Sequence, residues 1–146
     1  MRILKRIAFL VAALVIFCSC STPPPIVLDD SLPEEEQATV LFSYGIIVTS
    51  YNGIPFETPR GGTCLKIPQG KCEFTCDLDA SNGYMSWTGK DFILTYTFEG
   101  NKEYYLSFRL MDRKWGADIY NGLSPSDDTL IEFVPFSNTT RNFSAK

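Results

Sequence analysis

Histidine is absent from the 146-residue chain. That absence removes the usual general base at neutral pH and the commonest metal ligand. Ser-His-Asp triads, Cys-His dyads and histidine-containing zinc sites are excluded by composition alone. Basic side chains are also few. Three of the 13, Arg2, Lys5 and Arg6, sit in the first six residues, and beyond that segment 10 basic groups face 17 acidic ones, a net charge of -7. Nucleic-acid binders gather Lys and Arg against the phosphates, so no nucleic-acid partner is expected. Neither is a membrane-spanning helix: the apolar run at residues 7–17 is eleven long, against about 20 needed to cross a bilayer.

What is present at the N-terminus is a positive stretch followed by a short apolar run, the pattern of a removable export signal. It ends in Phe17-Cys18-Ser19-Cys20. Those residues resemble the lipobox of bacterial lipoproteins, in which small residues precede a cysteine that is acylated and becomes residue one. Choosing Cys18 would place bulky Phe17 directly before the cut, whereas Cys20 follows small Ser19. Residues 1–19 are therefore expected to be a signal helix and Cys20 the lipid-attachment residue. The resemblance implies a thioether-linked diacylglycerol on the Cys20 sulfur and an amide-linked acyl chain on its amine, a palmitate-type anchor whose several chains hold far more durably than one. It also implies a lipid-anchored place in the cell envelope. Ser21, which follows, is not the Asp that retains some lipoproteins at the inner membrane, so the outer membrane is favoured where there is one.

Residues 20–37 are rich in proline and acid, with Pro23, Pro24 and Pro25 favouring an extended polyproline course. They are expected to form a flexible tether holding the domain up to about 50 Å from the lipid. The run Glu34, Glu35, Glu36 reads as a solvated part of it.

From residue 38 the pattern alternates with period two, and β-branched and aromatic residues fall between Gly, Pro, Asn and Asp clusters. The spacing predicts an all-β domain over 38–136, an antiparallel β-sandwich of about seven to nine short strands, with a frayed tail over 137–146. Asn52-Gly53 signals a tight hairpin, because both residues tolerate positive φ. Pro55 places the returning strand at a sheet edge. A second hairpin is expected between residues 63–67 and 71–78 through Pro68-Gln69-Gly70. A loop follows over residues 81–90, and further strands cover 92–98, 103–110, 115–120 and 129–136.

The motifs Tyr51-Asn52-Gly53, Ile67-Pro68-Gln69-Gly70-Lys71 and Phe98-Glu99-Gly100-Asn101-Lys102-Glu103-Tyr104 resemble the turns of PEGA-like β-domains of bacterial lipoproteins, over roughly residues 38–120. That family lends no catalytic residue. It implies a binding, spacer or envelope-associated module.

Three cysteines remain in the body. In the expected hairpin Cys64 lies on the face opposite Cys72, while Cys72 and Cys76 stand four residues apart on one strand, about 13 Å, beyond disulfide reach. Cys72 and Cys76 are expected to be small buried thiols. Tyr84, Trp87 and Trp115 fall in or beside loops and are the candidate ligand contacts, against the plainer reading that the tryptophans plug the ends of the core. Asp77, Asp79 and Asp91 are the nearest thing to a carboxylate pair, and no spacing selects two of them. No enzyme, cofactor or metal is expected. The partners expected are the membrane, through the anchor, and an envelope protein or, as the alternative, a glycan held by the loop aromatics.

Overall fold

Alternation decides which side of each strand is buried. On the strand that carries Cys72, Phe74, Cys76 and Leu78, all four are buried, while the intervening Glu73 is exposed and Thr75 and Asp77 are partly so. The same parity buries Ala38, Val40 and Phe42 on one strand and Leu65 and Ile67 on another. Strands with one apolar face must cover it, and here they do so as two sheets.

The computed structural model describes residues 23–59, 62–81 and 86–137. Among these the chain is all-β, with ten strands: β1 (Ile26–Val27), β2 (Gln37–Phe42), β3 (Ile46–Tyr51), β4 (Ile54–Pro55), β5 (Thr63–Pro68), β6 (Gly70–Ser81), β7 (Ser86–Phe98), β8 (Glu103–Met111), β9 (Lys114–Asn121) and β10 (Leu130–Pro135). A six-stranded sheet has the order β1-β5-β2-β8-β9-β10, and a four-stranded sheet the order β4-β3-β6-β7. Their buried faces meet in one cluster, where Phe42 of the first sheet stands edge-on to Phe74 of the second, centroids 5.2 Å apart. Edge-to-face pairs of this kind add to simple area burial.

The first hairpin forms as expected. Asn52 and Gly53 adopt φ of 48° and 77°, Tyr51 pairs with Ile54, and β4 with its Pro55 is an edge strand.

Several other expectations are corrected. The sheets are not wholly antiparallel: β1 runs parallel to β5, and β2 parallel to β8. The reason for the second is topological, since the chain passes through the whole four-stranded sheet before β8 returns beside β2 in the same direction. β5 and β6 do not form a hairpin. β5 pairs with β2, and β6 with β3 and β7, so Pro68-Gln69-Gly70 carries the chain from one sheet to the other. Gly70 takes φ of 117° there, a conformation that favours glycine.

The expected loop through Lys90 is strand instead. β7 begins at Ser86, and Trp87 pairs with Ala80. Alternation fails to reveal this stretch because of a β-bulge. Asp91 takes φ of 57° and donates its backbone N–H to Asp77 Oδ1 at 3.0 Å, while the register shifts between Cys76 and Leu78. The bulge reverses parity, so Gly89 and Phe92 share the inner face.

Most of the segment expected to be free tether packs on the body instead. Ile26 pairs beside Leu65, Glu34–Glu36 forms a turn of 3-10 helix, and Glu34 makes an ion pair with Lys66. Residues 26–37 thus lie against the body. The expected signal helix and Cys20 fall outside the described residues, as does the tail from residue 138.

Phe74 touches Phe42, Tyr51 and Phe98 and is fully buried. Phe74→Ala is expected to cost about 3–5 kcal/mol. Urea unfolding followed by fluorescence will show it as a lowered midpoint with an unchanged slope.

Candidate functional site

The two sheets are unequal in reach at the end where β2 finishes at Phe42, the upper end. Phe42 pairs with Leu106, but β8 continues five residues further, to Met111, with only β9 beside it among the described residues. This arm turns through Asp112 and Arg113, both at positive φ, a type I′-like geometry. In the other sheet β6 and β7 also extend upward as a pair, to Ser81 and Ser86. Between the two arms opens a cleft of about 570 Å³.

Trp87 on β7 and Trp115 on β9 both line it, with Tyr44, Phe108, Arg109 and Leu110 among the other walls. Each tryptophan is half-buried, one flank against the core, and the Trp115 ring stands 6.4 Å from Phe92. Phe92, Phe108 and Phe136 pack on one another at 4.7 to 6.0 Å beneath. The core-plugging reading and the contact-surface reading therefore describe opposite flanks of the same rings. Tyr44 is 73 % exposed and Leu110 53 %.

One wall is stiffened by charge. Asp118 is buried and accepts a 2.7 Å bond from the Arg109 guanidinium. A buried carboxylate without such a partner would be costly. The guanidinium also lies over the Phe133 ring, 5.6 Å from its centroid. Gly116 lies against that ring, and an added Cβ there would meet the ring and the Val134 carbonyl.

The upper half of β8 has an open edge. Ser43 donates to the Leu106 carbonyl at 2.8 Å as β2 ends. Beyond that point, among the described residues, no strand pairs with β8 on this side. By alternation the backbone groups of Phe108 and Leu110 face the opening.

Of the residues singled out from sequence, Trp87 and Trp115 are thus brought together, while Tyr84 and Cys20 lie outside the described residues. Tyr44, Arg109 and Leu110 were not foreseen. The signal for Tyr44 was its place before Gly45, which takes φ of 89°. Asp77, Asp79 and Asp91 line a separate recess of about 610 Å³ on the outer face of the four-stranded sheet, with Glu57 and Lys90. Comparison with protein-family models, with curated proteins and with solved structures finds no match.

Cys64, Cys72 and Cys76 are free and buried. Cys64 lies on the opposite face of β5 from Leu65. Burial pushes the Cys72 thiol up to about 12 and raises those of Cys76 and Cys64 as well. The reactive species is the thiolate, which burial disfavours. Iodoacetamide at pH 8 is therefore expected to leave all three unmodified in the folded chain and to modify all three in denaturant, as read by mass spectrometry. Rapid labelling of Cys72 or Cys76 in the folded protein would contradict it.

Proposed function

We propose that this chain is a lipid-anchored, non-catalytic contact module of the cell envelope, a two-sheet sandwich fixed to the membrane through acylated Cys20. The observation that carries the contact role is the cleft at the upper end. Its walls are largely aromatic and aliphatic side chains, the Arg109 guanidinium that lines it is engaged with Asp118, and the open edge of β8 runs along it. An extended segment of an envelope protein fits such a place, because strand addition supplies backbone hydrogen bonds while neighbouring pockets take alternate side chains. The lipobox-like residues before Cys20 support the anchor and, with Ser21, an outer-membrane address in a diderm cell.

A glycan is the second reading, favoured by the two tryptophans on one cleft, whose faces suit sugar rings. Two measurements separate these ideas. Cells fed labelled palmitate should label the wild-type chain and not Cys20→Ser, and label persisting in that variant would remove the anchor. Trp87→Ala with Trp115→Ala, checked for fold by circular dichroism, should leave peptidoglycan pull-down at background in both forms. A clear loss of binding on substitution would instead favour the glycan.

A further inference from the structure

We infer that the rim of this cleft, formed by Tyr44 and the β8–β9 arm, seats on the bilayer interface, so that the cleft opens at the level of the lipid headgroups. The inference rests on the anchor proposed above and adds an orientation and a second contact to it.

Chain length supplies the first part. Ile26 is level with Leu65, Leu65 with Val40, and Val40 with Tyr104. β1 runs parallel to β5, which descends from the upper end, so the residues preceding Ile26 lead upward. Five residues separate Ile26 from Cys20, and whatever their conformation the six steps span no more than about 20 Å. Over the same direction β8 climbs seven residues from Tyr104 to Met111, about 23 Å. With β8 along the bilayer normal, a leash that short does not lift the arm clear of the surface that holds the lipid.

Surface chemistry supplies the second. The rim exposes Tyr44, Leu110 and Met111, and aromatic and aliphatic groups of this kind are at home where headgroups meet acyl chains. Arg113 and Lys114 stand at the tip of the arm, with Asp112 as the single acid between the strands. The lower end carries Glu34, Glu35, Glu36, Glu99 and Glu103 around the starts of β2 and β8, an excess of acid over Lys66, Lys71 and Lys102, of which Lys66 pairs with Glu34 and Lys102 with Glu99. Anionic headgroups attract the first set and repel the second. The acidic recess of Asp77, Asp79 and Asp91 opens sideways, on the outer face of the four-stranded sheet.

Trp87 and Trp115 are the only tryptophans in the chain, so intrinsic emission reports on this end alone. The full chain, exported and processed in a lipoprotein-making bacterium, is purified and reconstituted into vesicles of phosphatidylethanolamine and phosphatidylglycerol. Flotation with the vesicles tests the anchor. Replacing part of the lipid by chains brominated near the headgroup tests the seating, and emission is expected to fall to roughly half. Leu110→Glu with Met111→Glu, two exposed positions, should restore the emission while flotation persists. As a second reporter, Met111→Trp in a chain with Trp87→Phe and Trp115→Phe should be quenched at least as strongly. Flotation with unquenched emission from both reporters overturns the seating and leaves the anchor standing. Failure to float, with no palmitate label, overturns the anchor and the seating together. Emission that responds to soluble peptidoglycan fragments but not to brominated lipid overturns the seating in favour of a glycan cleft.

Discussion

The contact on which everything else depends is the edge-to-face meeting of Phe42 and Phe74 across the two sheets. Neither sheet is built from a continuous piece of chain. The path moves from the first sheet to the second after β2, back after β4, across again through Gln69, and back once more after β7. No sheet can therefore complete itself before the other has largely formed, and the pairing of β2 with β8 closes a loop of some sixty residues. Loop closure of that kind is entropically costly and is repaid only by burial of the shared core. Phe74 sits where that burial is densest, in ring contact with three neighbours from both sheets.

The cleft follows from the same mismatch. The core cluster ends near Ile46, Leu78 and Phe42, yet two pairs of strands run on past it. Above the core their inner faces diverge and are lined rather than filled, with Phe92, Phe108 and Phe136 as the floor. The divergence survives because one wall is braced by groups that reach from its outer face to the edge of the cleft. Arg109 joins buried Asp118 to the Phe133 ring, and Gly116 allows that ring to lie against the strand. A wall held by charge and close packing on its outer face does not need a neighbour on its inner face. That leaves the rim, with Tyr44 and Leu110, exposed.

Local chemistry made part of this legible in the sequence. The Asn52-Gly53 turn, the edge position of Pro55, the parity of Cys72 to Leu78 and the burial of the thiols all depend on a few neighbouring residues. The assignment of strands to sheets does not. Pro68-Gln69-Gly70 signals a change of direction, but whether the next strand lies beside the last or across the core from it is set by residues far along the chain. The bulge at Asp91 hid the five strand residues 86–90, Trp87 among them, by reversing the alternation that would have marked them. Leu110 is exposed although its parity matches Leu106, because the second sheet does not extend far enough to cover it. Tyr44, Trp87 and Trp115 come together only through tertiary pairing, so no local pattern unites them.

The docking of residues 26–37 changes what the N-terminal segment can do. Read as free chain, a proline-rich and acidic stretch is a spacer that separates a domain from its anchor. Once Ile26 and Val27 pair with β5, and Leu28 donates to the Lys66 carbonyl at 3.0 Å, most of that length is spent running along the sheet. The Glu34 pair with Lys66 ties the lower part down as well. With an anchor at Cys20, as proposed, what remains is a short leash that leads from Ile26 towards the end where the cleft opens. In the anchored reading, the same parallel pairing that adds a sixth strand to the sheet thus also sets the direction in which the domain faces.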